Sequence, residues 1–95
     1  MKTFQSKRWG EVEVLQRQYH DKTLAILLVS KDEPLATLSV NLGKHLPERC
    51  FHVKTWLENE ELAEEAFDSG LFKDRVDLPA VQTGFVLSPV WEILP

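Results

Sequence analysis

Residues 50–72 read CFHVKTWLENEELAEEAFDSGLF. The stretch opens as a strand: over Arg49–Lys54, Phe51 and Val53 point one way and Cys50 and His52 the other. It then changes period. Leu62, Ala63, Ala66 and Phe67 recur at helical spacing. Thr55 followed three residues later by Glu58 forms a capping-box pattern, and Asn59 is a competing cap four residues on. Asp68-Ser69-Gly70 ends the helix, with Gly70 in the position after the cap, and Leu71 and Phe72 return to the core. Phe51, Val53, Trp56, Leu62, Ala66 and Phe67 are the expected anchors of this stretch, and Trp56 is the expected staple between helix and sheet.

The segments before it alternate as strands do. Lys2–Ser6 is a short candidate, and Arg8-Trp9-Gly10 a turn. Glu11–Tyr19 places Val12, Val14 and Gln16 on one face. Thr23–Ser30 (TLAILLVS) is continuously apolar and reads as a central strand buried on both faces. Lys31-Asp32-Glu33-Pro34 is a turn, Leu35–Leu42 a strand with one wet face, and Gly43–Glu48 a loop. After the helix, Lys73–Thr83 has no clear period, and Pro79 argues against a central strand there. A last strand is expected over Thr83–Ser88, with room for another after Pro89. The expected fold is therefore one α+β domain over residues 1–95: an antiparallel β-sheet of five or six strands with one principal acidic α-helix packed on it.

Charge is unevenly placed. Fifteen acids against eleven Lys and Arg give a formal charge of −4. Residues 1–31 hold six bases and three acids, for +3; residues 32–95 hold five bases and twelve acids, for −7. Glu58, Glu60, Glu61, Glu64, Glu65 and Asp68 place six acids within eleven residues with no base among them. Glu61, Glu65 and Asp68 fall on one line of the helix, and Glu60 and Glu64 on its neighbour. Like charges at i, i+4 cost a helix a few tenths of a kcal/mol per pair, about 0.2–0.5. The bland account is a solvated face that happens to be acidic. The functional account is a partner-binding row of carboxylates, one turn (about 5.4 Å) apart, that meets Lys and Arg on a basic protein surface and competes for a groove built for phosphates. An acidic domain is repelled by nucleic acid and by anionic lipid, so neither is an expected direct partner.

Signals for chemistry are sparse. The single cysteine, Cys50, permits no internal disulfide and fits a reducing cytoplasm. Residues 1–10 show no signal-peptide pattern, and the apolar run Leu24–Val29 is far too short to span a bilayer. Cys50-x-His52 lacks the further ligands of a structural zinc site. As i and i+2 on a strand, the two side chains stand roughly 6.6 Å apart, unsuited to a nucleophile–base pair. His20 and His45 lie in turns or loops. No nucleophile elbow, Walker loop or dinucleotide fingerprint is present. Trp9, beside Lys7 and Arg8, is the aromatic expected to be most exposed; a basic–aromatic turn of this kind can bind single strands, against which the net charge weighs. No catalytic residue, metal or cofactor is expected.

Val53-Lys54-Thr55-Trp56 with Glu58-Asn59-Glu60, the run Ala36–Leu42 (ATLSVNL), and Thr83-Gly84-Phe85-Val86 with Pro89-Val90-Trp91 resemble a family of small proteins of unknown function from phages and bacterial mobile elements. The resemblance covers most of the chain in the same order of elements. It implies no catalytic residues. It implies a setting among accessory genes of mobile DNA, where small acidic proteins act as anti-CRISPR or antirestriction inhibitors in the host cytoplasm by occupying basic surfaces of nucleic-acid machinery. The expected function is thus a non-enzymatic inhibitor of a host-defence nucleic-acid-binding complex. The alternatives are a homo-oligomeric accessory protein that pairs through a sheet edge or exposed aromatics and, more remotely, a small hydrolase.

Overall fold

The computed structural model describes residues 2–95. Ten strands and one α-helix occur in the order β1 (Lys2–Ser6), β2 (Gly10–Gln18), β3 (Leu24–Ser30), β4 (Glu33–Thr37), β5 (Ser39–Val40), β6 (Cys50–Val53), α1 (Glu60–Asp68), β7 (Phe72–Asp74), β8 (Val81–Thr83), β9 (Val86–Ser88) and β10 (Val90–Ile93). A single 3-10 turn, Leu57–Asn59, leads into α1. The α+β class and antiparallel pairing agree with the sequence reading. The sheet count does not: there are two four-stranded sheets, ordered β1-β2-β3-β4 and β5-β6-β10-β7, and a separate β8-β9 hairpin, in place of one sheet of five or six strands.

The division happens at Leu38. The alternation of Leu35–Leu42 reads as one strand, but the chain leaves the first sheet after Thr37 and joins the second at Ser39. Leu38 N–H donates to the Ile26 carbonyl at 2.8 Å, and the Leu38 carbonyl accepts from Lys54 N–H at 2.8 Å. One residue therefore stitches β3 to the residue that follows β6, and the Leu38 side chain is fully buried between the sheets. The alternation slips by one residue at this crossing: Leu38 and Ser39 are both buried, Ser39 pairs with Val53 on the inner face, and Val40 pairs with His52 on the outer face of the second sheet.

That interior is a single cluster. The first sheet contributes Phe4, Val12, Val14, Ile26 and Leu28; the second contributes Phe51, Val53, Phe72, Trp91 and Ile93; α1 closes it with Leu62, Ala63 and Ala66. Phe51, Phe72 and Trp91 meet at centroid distances of 5.7–6.4 Å, Phe51 edge-on to both of the others. The expectation that β3 is buried on both faces is corrected: Ile26 and Leu28 are fully enclosed, whereas Leu27 and Val29 on the opposite face are only half-buried.

Turn chemistry sets the rest. Lys31 and Asp32 both take positive φ (51° and 66°), a two-residue hairpin turn between Ser30 and Glu33 rather than a four-residue one. Pro34 then sits in β4, an edge strand, where its missing N–H costs no ladder bond to a further neighbour. The expected strand over Thr83–Ser88 is instead the turn and return of β8-β9, with Gly84 at φ 66° as the first turn residue. The strand after Pro89 is β10, an inner strand held between β6 and β7.

Candidate partner-binding face

Helix α1 starts later than the capping box implies. Trp56 caps the 3-10 turn and Asn59 caps α1, neither through a side-chain hydrogen bond to the helix. Two tertiary contacts have displaced the local motif. Glu58 turns back to the Lys54 ammonium, 2.5 Å away, and this hydrogen bond holds its carboxyl below the usual range. Asn59 is enclosed, and its amide donates to the Thr37 carbonyl at 2.7 Å, tying the helix start to β4. The stop signal was legible: Gly70 follows the cap with φ 84°, and its N–H reaches the Phe67 carbonyl at 3.2 Å.

The six carboxylates divide by what they touch. Glu65 is half-buried, and its Oε2 accepts the backbone N–H of Lys7 at 2.7 Å, across 58 residues of chain. Its other oxygen, Oε1, is enclosed without a hydrogen-bond partner. Glu65 thus fastens α1 to the β1–β2 turn, and of the six acids expected in the partner-binding row it is the one that is half-buried. Glu58 is committed to Lys54. Glu60, Glu61, Glu64 and Asp68 are exposed and form no ion pair among the described residues.

Three of these four surround a shallow groove of about 270 Å³. Glu60, Glu64 and Asp68 rim it, at successive i, i+4 positions of one helix line, and Ala63, Phe67 and Trp91 form its floor. The Phe67 and Trp91 rings lie 5.0 Å apart. Phe67, expected as a core anchor, is 38% exposed, because the helix stripe is wider than the core it covers. The groove is chemically specific: an apolar floor suits the aliphatic stem of a Lys or Arg, the ring faces attract its charge, and the carboxylates receive its N–H groups. Trp91 was not among the sequence candidates. It comes from β10, over thirty residues from the helix start, and only the antiparallel β6–β10 pairing brings it there.

Cys50 and His52 are on the opposite face of the second sheet from that core, and both are buried. Burial pushes the Cys50 thiol up, partly opposed by the Arg75 guanidinium, whose Nη1 lies 3.5 Å from Sγ. Such a thiol stands protonated at neutral pH. Arg75 is held by both Asp77 oxygens (2.8 and 2.9 Å) and by Glu92 Oε1 (2.9 Å). Those contacts raise its own pKa and hold Asp77 down at about 2. This cluster locks the segment after β7, unreadable in the sequence, onto β10. No group of three or more His, Cys, Asp or Glu side chains suited to a metal occurs among the described residues.

His52 lines a larger cleft of about 430 Å³ between the β2–β3 turn and the β5–β6 loop. Its pKa is lowered, first by burial and then by Lys44. Elsewhere, Trp9 is exposed as expected and carries the Arg8 guanidinium over its ring at 5.4 Å, which closes the basic–aromatic turn on itself. Phe85 is fully exposed at the tip of the β8–β9 hairpin, with Leu87 and Val76 also exposed. Among the described residues no helix is long and apolar enough to cross a membrane.

Comparison with known proteins finds no matching family model, no matching curated protein and no matching solved structure.

Proposed function

We propose that this chain is a non-enzymatic phage or mobile-element protein that inhibits a host-defence nucleic-acid-binding complex, in the manner of an anti-CRISPR protein, inside the bacterial cell. The observation that carries the reading is the groove on α1, in which Glu60, Glu64 and Asp68 stand unpaired around the Phe67–Trp91 floor. Side chains that repel one another along a helix are relieved when a cation enters between them. Glu61 extends the same negative surface around the helix. Glu58 and Glu65, tied to Lys54 and to Lys7 N–H, serve chiefly to hold that surface in place. A basic surface that normally cradles phosphates matches this arrangement in charge and in its supply of Arg and Lys stems.

The test is capture from a bacterial lysate on immobilised protein, comparing wild type with Glu60→Lys/Glu64→Lys/Asp68→Lys. The wild type retains a nucleic-acid-binding complex that elutes with rising salt, and the triple variant, folded by circular dichroism, does not. Equal retention by both refutes the assignment.

The second reading, a homo-oligomeric accessory protein, is favoured by the hairpin, where Phe85 is fully exposed and β8-β9 has no third strand. Sedimentation of wild type against Phe85→Asp decides it. A dimer dissolved by the substitution supports self-association, and a monomer in both forms removes it.

A further inference from the structure

We propose that the cleft between the β2–β3 turn and the β5–β6 loop is a binding site for a small oxyanion-bearing molecule, with His52 in its wall and Lys44, Lys22 and Arg49 around its mouth. The site is separate from the acidic face of α1 and does not depend on the function proposed for it.

Four observations converge. The first is His52 itself. It is 4% exposed, lines the cleft, and its ring has no hydrogen-bond partner among the described residues. The enclosed side-chain atoms without a partner are Asn59 Oδ1 and Glu65 Oε1, so the His52 ring nitrogens keep access to solvent and are free to donate to, or accept from, a molecule in the cleft. The second is charge. Lys22, Lys44 and Arg49 make no ion pair, and the carboxylates on the same cleft are Asp21 and Glu48. Asp21 is already occupied by Thr23 N–H at 3.0 Å, the Thr23 hydroxyl at 2.6 Å and the Asn41 amide at 3.4 Å. Three cations thus stand against two carboxylates, a local charge of +1 in a chain of net charge −4, and none of the three cations is committed to an ion pair among the described residues.

The third is size. A volume of about 430 Å³ falls within the roughly 300–1,000 Å³ range of small-molecule sites and exceeds what a lone ion fills. The fourth is preorganisation. Tyr19 and Ser39 share a 2.8 Å hydrogen bond, and the Ser39 oxygen also accepts Ile26 N–H at 2.9 Å, so the inner wall is braced against β3. An oxyanion near Lys44 would also remove the repulsion that now disfavours the His52 cation, so that ring and ligand would bind cooperatively. Besides Lys44, the titratable groups of the cleft are Tyr19, Asp21, Lys22, His45, Glu48, Arg49 and Cys50, and apart from Lys44 none is among the causes of the His52 shift.

The test is an NMR titration of the imidazole resonances with inorganic phosphate, with acetate, and with chloride at matched ionic strength. His20, outside the cleft, serves as the internal control. The proposal expects saturable shifts at His52 with phosphate or acetate and none with chloride, while His20 stays put. Saturation by phosphate alone assigns a phosphoryl ligand, and by acetate alone a carboxylate. Lys44→Ser, an exposed loop substitution that leaves the core intact, should weaken the saturating anion about tenfold. Shifts that rise linearly with all three salts, parallel movement of His20, or unchanged affinity in Lys44→Ser would overturn it.

Discussion

Glu64 and Glu65 are chemically identical neighbours on one helix, and the structure gives them opposite roles. Truncating each to Ala separates those roles. Glu65 Oε2 accepts the Lys7 N–H at 2.7 Å, a charge-assisted bond that anchors α1 to the β1–β2 turn. Hydrogen bonds to charged groups contribute about 1.5–3 kcal/mol. Two terms reduce this. Lys7 is exposed, so its freed N–H can turn to water, and removing the carboxylate also removes the enclosed, unpartnered Oε1. A net loss of about 1–2 kcal/mol follows for Glu65→Ala. In a domain of this size that lowers Tm by roughly 4–16 °C. Glu64→Ala, on the solvent side of the groove, should fall within about 0.5 kcal/mol of wild type. Glu65→Gln keeps an acceptor for Lys7 N–H and should lie between the two. Urea denaturation at neutral pH, with a common m-value across the set, measures all four proteins. Equal stability of Glu64→Ala and Glu65→Ala would refute the division of the acidic helix into fastening and free carboxylates.

Other expectations rest on different parts of the molecule. Leu38→Ala keeps the backbone stitch between the sheets but removes an isobutyl group from a fully buried site, and should cost about 3–5 kcal/mol by urea denaturation; a loss under about 1 kcal/mol would mean that Leu38 is not packed between the sheets. Asp77 falls from an ordinary 3.8 to about 2 in the folded protein, so its stabilising effect is complete above about pH 4 and is lost as pH drops through 2. Asp77→Asn should flatten that part of the acid limb of stability against pH, and an unchanged limb would count against the Arg75 cluster. Cys50, buried in the cleft wall with its thiol pKa raised, should react with a thiol reagent far more slowly in the native protein than in the unfolded chain; equal rates would contradict its placement.

Local signals were readable wherever local forces decided the outcome. Gly70 ends α1 because the left-handed backbone after a helix favours glycine. Val12, Val14, Phe51 and Val53 reached the core because alternation ties side chains to faces. Long-range contacts decided the rest. The Thr55–Glu58 capping pattern lost to the Lys54–Glu58 pair and to the Asn59 bond with Thr37, 22 residues away. The break at Leu38 was invisible because the inward residue after it is a serine: Ser39 is buried through its bonds to Ile26 N–H and the Tyr19 hydroxyl, while apolar Val40, which the alternation puts inside, pairs with His52 on the outer face. Lys31-Asp32 lacks the Asn-Gly composition that usually marks its turn type. Charge periodicity located the acidic helix but could not say that Glu65 faces inward, nor that Phe67 and Trp91 would floor a groove beside Glu60, Glu64 and Asp68.

The central claim is that this groove occupies a surface that otherwise holds nucleic acid. It is tested most directly by competition: the captured host complex is loaded with labelled nucleic acid, and its release is followed as wild-type or Glu60→Lys/Glu64→Lys/Asp68→Lys protein is added. Release by the wild type, weakened by added salt and absent with the triple variant, is the predicted result. Nucleic acid that stays bound at saturating wild-type protein, or that both proteins displace equally, would contradict it.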